Sequence, residues 1–301
     1  LWPVRPLALA SGSGPAKSLA AGGGSVESSV YTIAPPLIKR SPGGGFWAIN
    51  FAVGCLHACP FCYADYFNKA YPRRGLENLV QLEWGSYFAV PRNIGEAIDR
   101  TPWHKWRGKE VFMSSMHDPY LPQIAWVARR ILKRALPSGV RLRILTRSTL
   151  VLRDLGLMSM YPHRVTLGVS IATLEPGLYR VIEPRAPPPA KRIQVLREAA
   201  GRGIATWASV APIFPPNPLR PDPYSDLVEI ARALALAGVR EVYGESLHER
   251  GDNLRLIARR LGASISLRGW DRLAEKMFYK AMDEYGLKSY WYPDKRRPGD
   301  G

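Results

Sequence analysis

The sequence predicts an α/β fold: a partial (β/α)6 TIM-type barrel of parallel strands, with an N-terminal arm and a C-terminal extension. Three observations carry this expectation. From position 47 onward short apolar runs alternate with helical patterns, glycines close the helical patterns, and polar residues recur just beyond each apolar run. Strand followed by helix, repeated about six times, implies a parallel sheet with right-handed crossovers, and an open or partly closed barrel satisfies it.

The first 45 residues carry Gly-Ser-Gly, Gly22 to Gly24, Pro35-Pro36 and Gly43 to Gly45 with little apolar periodicity, so 1–45 reads as a flexible or draped arm. Candidate strands of the barrel domain, 46–250, are 47–53, 110–114, 141–146, 164–170, 205–210 and 239–244. Between them, Ile124, Val127, Ile131, Leu132 and Ala135 form one buried stripe with Arg129, Arg130 and Lys133 outside it. Asp222-Pro223 reads as an N-cap followed by proline at the first helical position, and Gly238 closes that helix. Residues 251–301 read as a helical extension with a basic, aromatic tail, on stripes of Leu254, Ile257, Ala258 and Leu261 before Gly262, then Trp270, Leu273, Met277 and Ala281 before Gly286.

With 46% hydrophobic and 22% charged residues, the 301-residue chain can bury a sizeable core, which excludes wholesale disorder. Lys and Arg number 42 against 25 Asp and Glu, a net charge of +17 that favours a polyanionic partner, DNA or RNA first. No apolar stretch approaches the roughly 20 residues of a membrane span, and the run at 6–10 is too brief for a signal-peptide core. A cytoplasmic location without a membrane partner is expected.

Parallel βα sheets place their chemistry at the C-terminal strand ends. There the sequence has Cys55; Ser114, Ser115, Met116, His117 and Asp118; Thr146, Arg147 and Ser148; Ser170 and Thr173; Ala211-Pro212; and Glu245, Ser246, Leu247 and His248. Six clusters on one rim point to an active site.

All three cysteines fall in Gly54-Cys55-Leu56-His57-Ala58-Cys59-Pro60-Phe61-Cys62-Tyr63, a C-x3-C-x2-C spacing that argues for a shared cofactor over disulfides. Three thiolates so spaced can wrap one face of a 4Fe-4S cluster and leave the fourth iron open. An open iron can chelate the amino and carboxylate groups of S-adenosylmethionine (SAM) and pass in the electron that cleaves its C–S bond. The competing assignment is zinc held by Cys55, Cys59, Cys62 and His57, but such sites usually draw a second ligand pair from a separate hairpin. A third reading is three buried structural thiols.

The cysteine motif with Tyr63 resembles the radical SAM superfamily and, within it, the spore photoproduct lyase-like group of DNA-repair enzymes. Asp118-Pro119-Tyr120-Leu121-Pro122 is similar to that group's Asp-Pro-Tyr-x-Pro segment. Leu145-Thr146-Arg147-Ser148 is similar to its Thr-Lys-Ser, and Glu183-Pro184-Arg185-Ala186-Pro187 to its stretch before a helix. The resemblance implies that Cys55, Cys59 and Cys62 ligate the cluster and that Tyr63 lies near the adenine of SAM. It further implies Ser114 or Ser115 at the amino group, Arg147 at the carboxylate and Ser170 at the ribose, with an external electron donor such as a ferredoxin or flavodoxin. The group usually has Lys where Arg147 stands; a guanidinium binds a carboxylate bidentately, so the role survives. Photoproduct lyases also return hydrogen to the substrate through a cysteine outside the cluster motif, and this chain has none. A tyrosine, 5′-deoxyadenosine or an outside reductant would have to do so here.

His117-Asp118 is placed where a base or orienting pair would be useful, although the resemblance favours a structural Asp118. Glu183 and Arg185 suggest a rim ion pair, or an Arg185 contact to phosphate or cofactor; Glu245 and His248 face the rim. The stretches 103–109 and 290–297 interleave Trp103, Trp106, Tyr290, Trp291 and Tyr292 with cations, including Arg296 and Arg297, as a stacking and phosphate-binding surface would; core anchoring is the plainer alternative. The functional expectation is a radical SAM enzyme abstracting hydrogen, with nucleic acid as candidate substrate. Its alternatives are a radical enzyme acting on a peptide or small metabolite, and a metal-stabilised nucleic-acid-binding protein without activity.

Overall fold

The computed structural model describes residues 31–41 and 45–292, and the backbone of two short antiparallel strands, β1 (Ser18–Leu19) and β2 (Ser25–Val26). The rest of the arm, with Arg296 and Arg297, lies outside the described residues. Around β3 (Ile38–Arg40) the described part of the arm packs onto the barrel: Tyr31, Ile33 and Leu37 are buried, and Asn93 clamps the Ile33 backbone through bonds of 2.9 and 2.8 Å.

Eight strands form the main sheet. The first candidate strand breaks at Asn50 into β4 (Trp47–Ile49) and β5 (Val53–Gly54), and β5 turns away to pair with β6 (Phe88–Ala89). There follow β7 (Glu110–Met113), β8 (Arg141–Thr146), β9 (Val165–Ser170), β10 (Ala205–Ile213), β11 (Glu241–Ser246) and β12 (Lys288–Trp291). The order is β12-β11-β10-β9-β8-β7-β4-β3, parallel throughout except for the antiparallel edge strand β3. Chain order and sheet order coincide and the two edges stay unpaired with each other, so this is the predicted partial barrel.

Helices α1 (Tyr63–Ala70) and α2 (Ile94–Asp99) precede β7. Then α3 (Ala125–Ala135), α4 (Leu155–Ser159), α5 (Pro176–Ile182) and α6 (Pro189–Gly201) intervene between the central strands. Helix α7 (Pro223–Leu236) precedes β11, and α8 (Asn253–Leu261) and α9 (Trp270–Asp283) lie between β11 and β12. The predicted α3 stripe is buried, and Asp222 accepts from the Tyr224 and Ser225 amides as the expected N-cap of α7. In α9 the buried face is Trp270, Ala274, Phe278 and Ala281, while Leu273 points to solvent. The period was legible there; its phase was set by the surface of β11 and α7 that the helix covers.

In the two aromatic stretches the indoles follow the plainer alternative, core anchoring, while Tyr292 is exposed and 293–297 lie outside the described residues. The 251–301 segment supplies a strand as well as helices, and Trp291 in it is only 5% exposed, its ring 5.5 Å from that of Phe278. Trp103 and Trp106 are likewise buried: Trp103 Nε1 donates to the Ile98 carbonyl at 2.9 Å and Trp106 meets Trp47 edge-on. These indoles anchor chain segments to the core and offer no face to a base. Trp291→Ala should therefore cost about 3–5 kcal/mol of unfolding free energy in a denaturant titration. An unchanged midpoint with lost oligonucleotide binding would restore the platform reading.

Candidate active site

The cysteine loop is bent into place by backbone that tolerates few side chains. Gly54 has φ +88°, and a Cβ there would stand 2.5 Å from the Tyr87 carbonyl oxygen, so β5 enters the loop where only glycine fits. Ala58 takes a left-handed φ of 59° and lies so close under Gly85 that a Cβ on Gly85 would fall 2.2 Å from its own. The Cys62 amide donates to the Cys59 carbonyl at 3.2 Å, and Cys62 opens α1. Cys55 and Cys59 are buried and Cys62 partly so. Burial pushes all three thiols up to about 12, so a metal that takes them as thiolates at neutral pH has to displace their protons.

Asp118 governs the loop's position. Its carboxylate accepts from Thr146 Oγ1 at 2.6 Å, from the Arg147 amide at 2.7 Å and from the Tyr120 amide at 2.8 Å, and His57 Nε2 lies 2.9 Å away. Burial alone would raise this carboxyl; the His57 ring and the donors from Thr146 and Arg147 outweigh it and hold it at about 2. The other ring nitrogen of His57 faces the Arg185 carbonyl at 3.4 Å, so His57 is a loop residue committed on both sides. With both ring nitrogens engaged by Asp118 and the Arg185 carbonyl, His57 is not free to serve as a fourth zinc ligand. A cluster asks for something else, a separate thiolate for each of three irons, and the donor set fits that.

Arg147 lies beside this loop. Its Nε donates to Glu183 Oε1 at 2.7 Å, its Nη2 to the Ala211 carbonyl at 3.3 Å, and its guanidinium stands 5.4 Å from the Phe61 ring centre. Glu183 is completely buried and also accepts from the fully buried Arg192, whose Nη1 donates to the Ser170 carbonyl and whose Nε donates to the Pro187 carbonyl at 2.9 Å. Two guanidiniums share one carboxylate, so the group carries a net positive charge directly under the cysteine loop. Burial works against the charge on Arg147, but the Glu183 carboxylate beside it outweighs that and keeps it protonated.

The remaining predicted residues divide. Ser114 is buried and its hydroxyl donates to the His117 carbonyl at 2.6 Å. Ser115 bonds to Asn50, whose Oδ1 also accepts from the Ser115 and Met116 amides at 2.9 and 3.2 Å. Tyr63 donates to the Ser115 carbonyl, which brings Tyr63, Ser115 and the cysteine loop together, and Ser170 ends β9 buried beside Arg192. Thr173 is drawn away to Asp226 on α7 at 2.6 Å. His117 is packed edge-on against Phe51 and burial lowers it to about 3, so it stays neutral and does no acid–base work at physiological pH. Glu183 and Arg185 do not pair; Arg185 reaches the Gly85 carbonyl instead. Asn50 and Arg192 escaped the sequence reading. Asn50 had a signal, a polar residue ending an apolar run, whereas Arg192 looked like any solvent-facing helical arginine.

At the rim, Glu245 Oε1 lies 3.7 Å from His248 Nε2, and burial raises the Glu245 carboxyl to about 7.

A C-terminal-end site built on one cysteine loop within a partial parallel barrel defines a class, and the comparisons agree with it. The radical SAM superfamily signature matches residues 49–217, and the chain belongs to this superfamily of enzymes, which use a 4Fe-4S cluster and SAM. Its relatives include an uncharacterized protein of the Acidianus two-tailed virus, 48% identical over 88% of this chain and 92% of that one. Another, from Methanocaldococcus jannaschii, is 33% identical over 60% of this chain and 65% of that protein. The fold is similar to that of spore photoproduct lyase at a TM-score of 0.62 and 16% identity, covering 86% of this chain and 81% of the other. It is also similar to Streptococcus suis SuiB bound to S-adenosylmethionine, at 0.52 and 14% identity over 81% and 51%. Among the described residues no helix is long and apolar enough to cross a membrane.

Glu183→Gln leaves Arg147 and Arg192 without their counter-charge and should lower the unfolding free energy by about 3–5 kcal/mol at neutral pH. Glu245 gives a signed pH test. Its folded carboxyl titrates near 7 against 4.5 ordinarily, so the native state holds a proton that the unfolded chain releases, and stability falls as pH rises from 4.5 through 7. Glu245→Gln should match the parent at pH 4 and melt higher than it at pH 8; equal melting at both would refute the shift.

Proposed function

We propose that this radical SAM enzyme applies its chemistry to a nucleic-acid strand, with Cys55, Cys59 and Cys62 holding the cluster. The observation that carries the site assignment is the juxtaposition of three thiols, two of them buried and one partly so, with a guanidinium, Arg147, in one mouth. When bound, a 4Fe-4S cluster with an open iron supplies the electron that cleaves SAM to a 5′-deoxyadenosyl radical able to abstract hydrogen. The protein's own residues bind and orient. Arg147 offers its guanidinium to the SAM carboxylate, held in place by Glu183 behind it. Ser114, its proton donated to the His117 carbonyl and its oxygen 3.1 Å from His117 Nδ1, keeps one lone pair for the SAM ammonium, with Ser115 beside it. Tyr63 presents its ring to the adenine, and Ser170 stands at the ribose. Buried walls exclude water, which protects a radical from quenching.

The nucleic-acid part of the reading is supported by the +17 charge and by the fold shared with spore photoproduct lyase, which has been solved complexed with dinucleoside spore photoproduct. An external one-electron donor such as a ferredoxin or flavodoxin completes the system.

Anaerobic reconstitution with iron and sulfide should give a cluster whose EPR signal shifts on adding SAM, and dithionite should then drive 5′-deoxyadenosine formation. Arg147→Ala should weaken SAM binding about tenfold or more, and Arg147→Lys should recover most of it. Tightly bound zinc without iron uptake would overturn the cluster. Ample 5′-deoxyadenosine with no salt-dependent nucleic-acid affinity would move the substrate to a peptide or small metabolite.

A further inference from the structure

With the indoles of 103–106 and 291 buried, a row of exposed rings next to the cysteine loop lies on α1, and Tyr292, also exposed, stands near Tyr63. Tyr63, Phe67 and Tyr71 recur every four residues from Cys62 onward, on one helical face, with Tyr66 beside them. Their exposures are 44%, 40%, 75% and, for Tyr66, 41%. Tyr63 meets Phe67 edge-on at 6.1 Å, Tyr66 meets Phe67 at 5.4 Å, and Phe67 and Tyr71 lie near-parallel at 6.4 Å with 22° between their planes. The row begins at the cysteine loop, since Tyr63 hydrogen-bonds to the Ser115 carbonyl.

A groove of about 460 Å³ runs between this row and the loop after β11, lined by Tyr66, Phe67, Tyr71, Glu249, Arg250 and Gly251. Gly251 lets the Tyr66 ring lie close on its backbone, at 3.3 Å from where a Cβ would be. The exposed Arg250 lies within it; of the two arginines that follow α1, Arg73 stands over the Tyr31 ring, 5.7 Å from its centre. Four solvated aromatic rings in a continuous row beside the mouth, with Arg250 in the groove, have the composition of a single-strand track, in which rings stack bases and cations follow phosphates.

We propose that this row on α1 is the stacking track for the nucleotides flanking the reacting one in a single-stranded nucleic acid. The inference rests on the nucleic-acid reading above and adds to it a location and a register. The strand enters past Tyr71, its bases stack on Tyr71, Phe67 and Tyr66, and the target base reaches the mouth at Tyr63. Glu249, the one carboxylate lining the groove, faces where a base amino group can donate to it. A reacting base must leave its stack to approach a radical held within the barrel, and a ring row that replaces the lost stacking offsets that cost.

The test is fluorescence anisotropy of the reconstituted full-length protein with a labelled oligothymidylate across a salt series. Tyr71→Ala should weaken binding on the order of tenfold, Tyr71→Phe should bind within about twofold of the parent, and Phe67→Ala should behave like Tyr71→Ala, all with parental melting. Arg250→Ala should reduce the salt slope by about one unit. If the parent binds steeply with salt while both alanine variants bind equally well, the track is overturned and the nucleic-acid reading stands. If the parent does not bind at low salt, both fall. If the alanine variants change only self-association in sedimentation, the row joins two copies of this chain and the track is again overturned.

Discussion

The carboxylate of Asp118 accepts hydrogen bonds from donors on three chain segments, the cysteine loop, its own loop after β7 and the end of β8, and the geometry of the mouth follows from it. Each donor alone would be an ordinary turn contact. Together they tie a short loop without regular structure to two adjacent strand ends. Removing the carboxylate would leave the His57 ring, a hydroxyl and two amides competing for solvent that cannot enter. The Cys55 thiol feels the same pair, since the backbone N–H groups of His57 and Asp118 work against the burial that pushes it up.

A second buried charge sits behind the first. Glu183 is fully enclosed and answers both Arg147 and Arg192, so the protein bears the desolvation of three ions to keep a net positive charge beneath the cysteine loop. Such a group is a poor source of stability compared with an apolar core. Its value is positional: Arg147 is braced from behind by Glu183 and from the side by the Ala211 carbonyl, which fixes where its remaining donors point. An anion arriving at the mouth meets a guanidinium that has little orientational freedom left to lose.

Aromatic residues show how burial sorts chemically similar motifs. Trp103, Trp106 and Trp291 sit among lysines and arginines in the sequence as Tyr66, Phe67 and Tyr71 do. The indoles are large enough that the core recruits them across the sheet's edge and beneath α9, whereas Ala64 and Asn68 take the buried positions of α1 and leave its rings only partly covered. Local composition is the same in both cases; the neighbour that covers or fails to cover the ring comes from far along the chain.

By itself the sequence determined the class of fold, the cysteine motif and the side of the barrel on which chemistry occurs, because strand and helix periodicity and the spacing of ligands in one loop are short-range properties. The break of the first strand at Asn50, the added strands β3 and β12 and the phase of α9 required the sheet itself, since edge pairing and face selection depend on partners distant in sequence. The same holds for the site. Cys55, Cys59, Cys62, Arg147 and Asp118 stood out locally, but the Glu183–Arg192 pair behind Arg147, the engagement of His57 by Asp118 and the diversion of Thr173 to Asp226 are contacts between residues tens of positions apart or on separate helices. Only tertiary structure decided them, because burial, which makes a charge seek a partner or a ring seek cover, is a property of the packed molecule and not of any segment.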